Sequence, residues 1–143
     1  MPTGLLDPNE DIPEAAAREL MEETNLDGVM DGILCFRQAH RPSSASDLFF
    51  VCHLSLKDPE NIIWKPQEDE IAAIKWMSVE DYCNQERWQG SPTYETLNDT
   101  IRKASLKAQA SKDHKVEGLI DSQILPVGFG YSDMTNAVFK SHL

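Results

Sequence analysis

GLLDPNEDIPEAAARELMEETNL, residues 4–26, is the stretch from which the rest of the chain is read. Its second half carries Glu19, Glu22 and Glu23 at positions i, i+3 and i+4. At roughly 100° per residue these side chains share one face of a helix. Carboxylates held that close repel one another unless a cation sits among them, and a hard divalent ion with oxygen ligands suits them. A second face carries Pro13, Ala16, Ala17, Leu20 and Met21, an apolar stripe fit to lie on a sheet. Ala15, one turn before Glu19, leaves room beside the acidic face. Asp11 is the expected N-cap, and Asp11-x-x-Glu14 is a capping-box variant. Pro13 falls in the first turn, where an N–H has no helical partner to lose. Asn25 can take the left-handed conformation that ends a helix. The pattern predicts a helix over residues 12–24.

The chain has 143 residues, enough for one domain with a modest core. Hydrophobic content of 41% and charged content of 26% are those of a soluble globular protein. A net charge of -11 excludes a basic nucleic-acid footprint. It does not exclude an anionic phosphate compound, provided cations neutralise both sides. No apolar run approaches the roughly 20 residues that span a bilayer, so no membrane partner is expected. MPTGLLDPNED lacks a basic segment and an apolar core, so a signal peptide is not expected and the cytoplasm is the expected compartment. Cys35, Cys52 and Cys83 are odd in number and far apart, the pattern of free thiols in a reducing compartment.

Residues 29–39, VMDGILCFRQA, read as a strand interrupted by Gly32. Residues 40–47 are a polar loop, long for a tight hairpin but compatible with antiparallel pairing. Residues 48–56, LFFVCHLSL, read as a central strand, and residues 71–77, IAAIKWM, as a third. Ser78 caps a short helix from Val79 to about Glu86. Ser91-Pro92 opens a longer one running to Ala110, with Leu97, Ile101, Ala104, Leu106 and Ala108 as its apolar positions. The tail holds two short apolar runs, residues 118–127 and 137–139, expected as strands or a hairpin. Phe49, Phe50 and Trp76 are expected in the core, with base stacking as the other use of such rings.

The spacing in residues 4–26 resembles the Nudix box, G-x5-E-x7-R-E-U-x-E-E-x-G-U, U being bulky and apolar. Gly4, Glu10, Arg18, Glu19, Leu20, Glu22, Glu23 and Leu26 match, and Asn25 replaces the Gly while keeping its backbone purpose. A merely solvated acidic face would not also place Gly4, Glu10 and Arg18. The resemblance continues through FRQAH (36–40), SDLFFVCHL (46–54) and DEIAAIKWMSVEDY (69–82). There it is to the subgroup with the plant ADP-ribose/NADH pyrophosphatases and the animal Nudix protein encoded antisense to a fibroblast growth factor. It implies a single Nudix domain over residues 1–143, box 4–26, with residues 111–143 as a loosely assigned extension. The implied fold class is α/β (α+β), an α/β/α sandwich with a mixed sheet. In the family several strands precede the box, and Met1-Pro2-Thr3-Gly4 resembles the family's L-P-x-G lead-in, so the domain is expected to be N-terminally truncated. Missing neighbours would leave sheet edges open to a homodimer or other edge-strand self-association.

The activity implied is Mg²⁺-dependent hydrolysis of a nucleoside diphosphate linked to another moiety, ADP-ribose or NADH, releasing AMP, with Mn²⁺ as a substitute. Glu19, Glu22 and Glu23 are the implied metal ligands, with the Gly4 carbonyl as a backbone ligand. Bound Mg²⁺ would hold the pyrophosphate oxygens and acidify the attacking water. Arg18, at i+4 from Glu14 and i−4 from Glu22, braces box carboxylates in the family; a surface ion pair of little worth is its other reading. Glu10 is a supporting carboxylate. Glu70 either joins the metal site or acts as base, or is a solvated charge in the acidic run QEDE. Arg37, Gln38, His40 and Arg41 either reach the terminal ribose or phosphate, or are solvated loop polarity. A Nudix-fold protein that binds nucleotides without turning them over is the competing function; the complete set of box glutamates argues against it.

Overall fold

In the computed structural model, residues 1–40, 46–67, 69, 71–110, 120–126 and 135–141 are described, the last two stretches as backbone. The elements are α1 (Ile12–Thr24), β1 (Gly28–Ala39), β2 (Asp47–Leu56), α2 (Val79–Cys83), a 3-10 turn (Glu86–Trp88), α3 (Pro92–Ala110), β3 (Ile120–Pro126) and β4 (Thr135–Ser141). The chain is α+β: its strands form one sheet in the order β2-β1-β4-β3, with β1·β4 and β3·β4 antiparallel. In β1·β4 Cys35 stands opposite Lys140 and Ala39 opposite Asn136. The β3/β4 pair runs from Ile120 opposite Ser141 to Pro126 opposite Thr135, the hairpin expected of the two tail runs.

The chain divides into two compact units, residues 1–31 with 52–76, and residues 32–51 with 77–143. The first is built on α1, whose ends fall where the sequence puts them. Asp11 and Glu14 form the capping box, the Asp11 N–H donating to Glu14 Oε2 at 3.3 Å. Asn25 closes the helix with φ 60° and ψ 27°, its N–H donating to Met21 O at 2.8 Å. The carbonyls left over at that end are taken by a later segment: Lys65 N–H donates to Thr24 O at 2.9 Å and Gln67 N–H to Glu23 O at 3.4 Å, and in return Asn25 Nδ2 donates to Ile63 O at 2.9 Å. Gly28 lets the helix lie close on the strand, since a Cβ there would stand 2.7 Å from Leu20 Cδ2.

The second unit has its core in Leu34, Cys35, Val51, Leu97 and Ala104, with Phe49, Tyr94 and Ile101 packed against it. Leu97, Ile101, Ala104 and Ala108 recur at helical spacing and form one stripe of α3. Leu106 falls off that stripe and is exposed, against expectation. Each fully buried aliphatic side chain such as Leu97 contributes roughly 1.5–3 kcal/mol. Ser78 caps α2 as expected, its Oγ accepting the Asp81 N–H at 3.0 Å. Asn98 Nδ2 donates to Cys83 O at 3.3 Å, and Arg102 ties α3 to Glu80 and Asn84 at 3.1 and 2.8 Å.

Two expected strand assignments change. Residues 71–77 form no strand, because an apolar run becomes one only when a ladder takes its N–H and C=O groups. Trp76, expected in the core, is 60% exposed there. Residues 48–56 are a strand, but at the edge of the described sheet rather than its centre. Their unbroken apolar character has another cause. Val51 enters the core, Phe50 packs on Phe36 with centroids 5.4 Å apart, and Phe49 carries the Arg37 guanidinium 5.3 Å above its ring.

Candidate active site

The site grows from a turn. Asp7-Pro8-Asn9-Glu10 closes with Glu10 N–H donating to Asp7 O at 3.1 Å. Pro8 presets one central torsion, and Asn9 takes φ 67°, a left-handed value that Asn tolerates. The Glu10 carboxylate folds back to accept the Asp7 N–H at 2.9 Å. It thereby meets Arg18, which α1 holds above the turn.

Arg18 is the hub. Its Nε donates to Glu10 Oε1 at 2.7 Å and Nη2 to Glu10 Oε2 at 2.9 Å, a bidentate pair. Nη2 also donates to Leu5 O at 2.9 Å. Nη1 donates to Glu19 Oε1 at 2.7 Å and to Glu22 Oε2 at 3.1 Å. Asp7 Oδ2 stands 4.0 Å from Nε. Glu23 turns to the N-terminal segment, accepting the Thr3 N–H at 3.2 Å. The Arg18 hydrogen bond, then the Asp7 N–H, pushes the Glu10 carboxyl down from 4.5 to about 2. The bonds to Glu10 and then Glu19 push the Arg18 guanidinium further up.

Gly4 is required by close approach: a Cβ there would fall 1.8 Å from Glu19 Oε1. Arg18 thus joins Glu10, Glu19 and Glu22, and Gly4 lies against Glu19, while Glu23 is turned to Thr3. The expected i−4 partner of Arg18, Glu14, is spent instead on the capping box. Asp7 and the Leu5 carbonyl were not expected; the Pro-Asn turn that delivers them was the available signal.

Glu70 and Arg41 lie outside the described residues. Arg37, Gln38 and His40 belong to the second unit. There Arg37 Nη2 stands 3.9 Å from Asp47 Oδ2, and His40 Nδ1 lies 2.9 Å from Ser46 Oγ. The first unit also holds a polar cluster around Asp31. Asp31 Oδ2 accepts from Ser55 Oγ at 2.7 Å and lies 2.8 Å from His53 Nδ1. Its sequence signal was the H-x-S alternation on β2, which puts both side chains on one face. The three cysteines are free, and burial pushes the Cys52 and Cys83 thiols up.

A turn that returns a glutamate to an arginine, a glycine against the first of three helical carboxylates, and a left-handed close to the helix define a Nudix box. The NUDIX domain family model matches residues 1–97, and the chain belongs to that family. It is similar to Nudix hydrolase 2 of Arabidopsis thaliana, 46% identical over 85 residues, which is 59% of this chain and 30% of that protein. It is 44% identical over 86 residues to Nudix hydrolase 10 of the same plant, 59% of this chain and 30% of that protein. It is 34% identical over 83 residues to the mouse protein nucleoside diphosphate-linked moiety X motif 6, 56% of this chain and 26% of that protein. The chain therefore spans about 30% or less of the length of these relatives.

Nudix hydrolases generally use divalent cations. Two features of the box fit one. Its donors are hard carboxylate oxygens, and Gly4 keeps a cradle beside Glu19 that a Cβ would fill. Among the described residues, however, no three His, Cys, Asp or Glu side chains stand together as a ready-made cation site. One oxygen each of Glu19 and Glu22 is turned to Arg18, and one of Glu23 to Thr3. No helix among the described residues is long and apolar enough to cross a membrane.

Proposed function

We propose that the chain is the catalytic Nudix domain of a Mg²⁺-dependent pyrophosphatase, with Mn²⁺ as a substitute. Its substrate is a nucleoside diphosphate linked to another moiety, ADP-ribose or NADH, and one product is AMP. Water attacks one phosphorus, the bridging P–O bond breaks, the bridging oxygen leaves with the electron pair, and the water's protons pass to base and solvent. The observation that carries this reading is the convergence of Glu10, Glu19 and Glu22 on Arg18, with Gly4 against Glu19, within one unit.

Glu19, Glu22, Glu23 and the Gly4 carbonyl would hold the cation. When bound, it supplies charge neutralisation for the pyrophosphate and makes water more acidic. The chain's own residues position the reaction. Arg18 fixes the register of the glutamates, and Glu10 fixes Arg18. Such chemistry is mainly positioning and charge neutralisation, so a rigid ligand helix is the larger part of what the fold must supply. Glu70 is assigned as base or further ligand, and Arg37, Gln38, His40 and Arg41 as contacts to the distal ribose or phosphate. Catalysis is assigned to the cytoplasm. The chain also self-associates on this reading, because Ile63 is 77% and Trp76 60% exposed and β2 is an edge of the described sheet.

The test is a panel of ADP-ribose, NADH and nucleoside triphosphates with Mg²⁺, products resolved by chromatography. AMP from the first two supports the reading. Cleavage of triphosphates alone overturns the substrate class, and binding without any cleavage favours a nucleotide-binding role.

A further inference from the structure

All five N–H donors of Arg18 are engaged, and they fall into two groups. Nε and Nη2 grip the turn, through both Glu10 oxygens and the Leu5 carbonyl, at 2.7, 2.9 and 2.9 Å. Nη1 grips the helix, through Glu19 at 2.7 Å and Glu22 at 3.1 Å. The first group is a bidentate, charge-assisted fork, the geometry that guanidinium and carboxylate share best. The second is two single contacts to two different carboxylates, one of which, Glu22, is 51% exposed. The two sides of one guanidinium are therefore held with unequal strength.

The repulsion within Glu19, Glu22 and Glu23 has to be offset whenever no metal is bound. Arg18 Nη1 sits between two of the three and does so. Those same two carboxylates are the ones a divalent cation needs, so Nη1 and the ion address the same side chains.

We propose that Arg18 is an internal counter-ion which the box exchanges for a divalent cation. In the metal-free protein its Nη1 holds Glu19 and Glu22. Cation binding transfers these two carboxylates from Nη1 to the ion, while Glu10 and the Leu5 carbonyl keep the guanidinium in place. The proposal rests on the metal-dependent reading given above, and it adds that the arginine competes with the metal as well as bracing its ligands. Arg18 is a positioning residue in this scheme and touches no reacting atom.

The test uses the full chain with Mg²⁺ as the probe. Side-chain nitrogen NMR follows the Arg18 Nε and Nη protons during a titration, with calorimetry giving the affinity. Exchange requires that the Nε proton remain protected at saturation while the Nη1 protons exchange faster with solvent. In R18K the charge is kept, but a single ammonium cannot grip Glu10 and span both helix glutamates. Mg²⁺ then binds more tightly, by about tenfold, the scale of one charge-assisted hydrogen bond. If Mg²⁺ binds the wild type with Nη1 protection unchanged, the exchange is refuted and the metal-dependent reading stands. Weaker or equal Mg²⁺ binding by folded R18K likewise refutes it; should R18K not fold, the wild-type titration decides. If the wild type binds no Mg²⁺ at all, both readings fall.

Discussion

Replacing Gly4 by Ala adds one carbon at a place where the structure leaves no room. The new Cβ would lie 1.8 Å from Glu19 Oε1 and 1.9 Å from Cδ. Gly4 is not among the glycines with positive φ, so the backbone tolerates Ala and the cost is the collision alone. The obstacle is the end of a flexible side chain, so Glu19 swings away rather than the loop unfolding. What is lost is the 2.7 Å bond from Arg18 Nη1 to Glu19. The Arg18 guanidinium keeps contact with water, so what is lost is a solvent-screened ion pair and the loss is small. In a chain of this size a loss of that kind lowers the Tm by roughly 1–3 °C. If Glu19 is a ligand as proposed, turnover falls further, because its misplacement is felt in the transition state as well as in the fold. The assay is a double-mutant cycle read by thermal melting, Gly4→Ala against Glu19→Ala. If the collision with Glu19 is the whole mechanism, Gly4→Ala costs nothing once Glu19 is Ala. An equal loss of Tm in both backgrounds would refute the reasoning and point to a backbone role for Gly4.

Glu22→Gln keeps the size and removes the charge of the proposed ligand, so activity should fall by most of its value with the far-UV spectrum unchanged; wild-type turnover at saturating Mg²⁺ would remove Glu22 from the proposed metal site. Glu10 has its folded pKa lowered from 4.5 to about 2, so the stabilisation from its pair with Arg18 is fully present above about pH 4.5 and lost as pH falls through about 2. Carboxyl carbon NMR of the metal-free chain should show that low midpoint, and a titration near 4.5 would mean that the pair does not form in solution. Sedimentation velocity should show association that rises with protein concentration, given the exposed Ile63 and Trp76; a single monomer peak throughout would show that these surfaces are inert.

How much of this was legible beforehand depended on how local its cause is. Helix α1 was readable to the residue because Asp11, Glu14, Pro13 and Asn25 act within one turn of themselves. The same holds for α3, opened by Ser91-Pro92, and for Ser78 at α2. Residues 71–77 misled because apolarity says that a segment wants burial, whereas a strand needs a neighbour's backbone, which no window of sequence contains. β2 misled for a related reason: two kinds of contact, core for Val51 and ring pairing for Phe50, produce the apolar run that two neighbouring strands would. In the site, the helical spacing gave the three glutamates one face but not their partners. Glu10 reaches Arg18 across a turn, and no periodicity relates residues 10 and 18. That Arg18 spends all its donors on the box could be learned only from the structure.

Phosphorus NMR of ADP-ribose incubated with the chain, once with Mg²⁺ and once with excess chelator, reads whether the proposed box turns over a pyrophosphate bond with the help of a divalent cation. The diphosphate signals should give way to two phosphomonoester signals, AMP and ribose phosphate, with Mg²⁺ alone. Loss of the diphosphate at the same rate under chelator, or its persistence with Mg²⁺ bound at the box, would contradict the proposed activity.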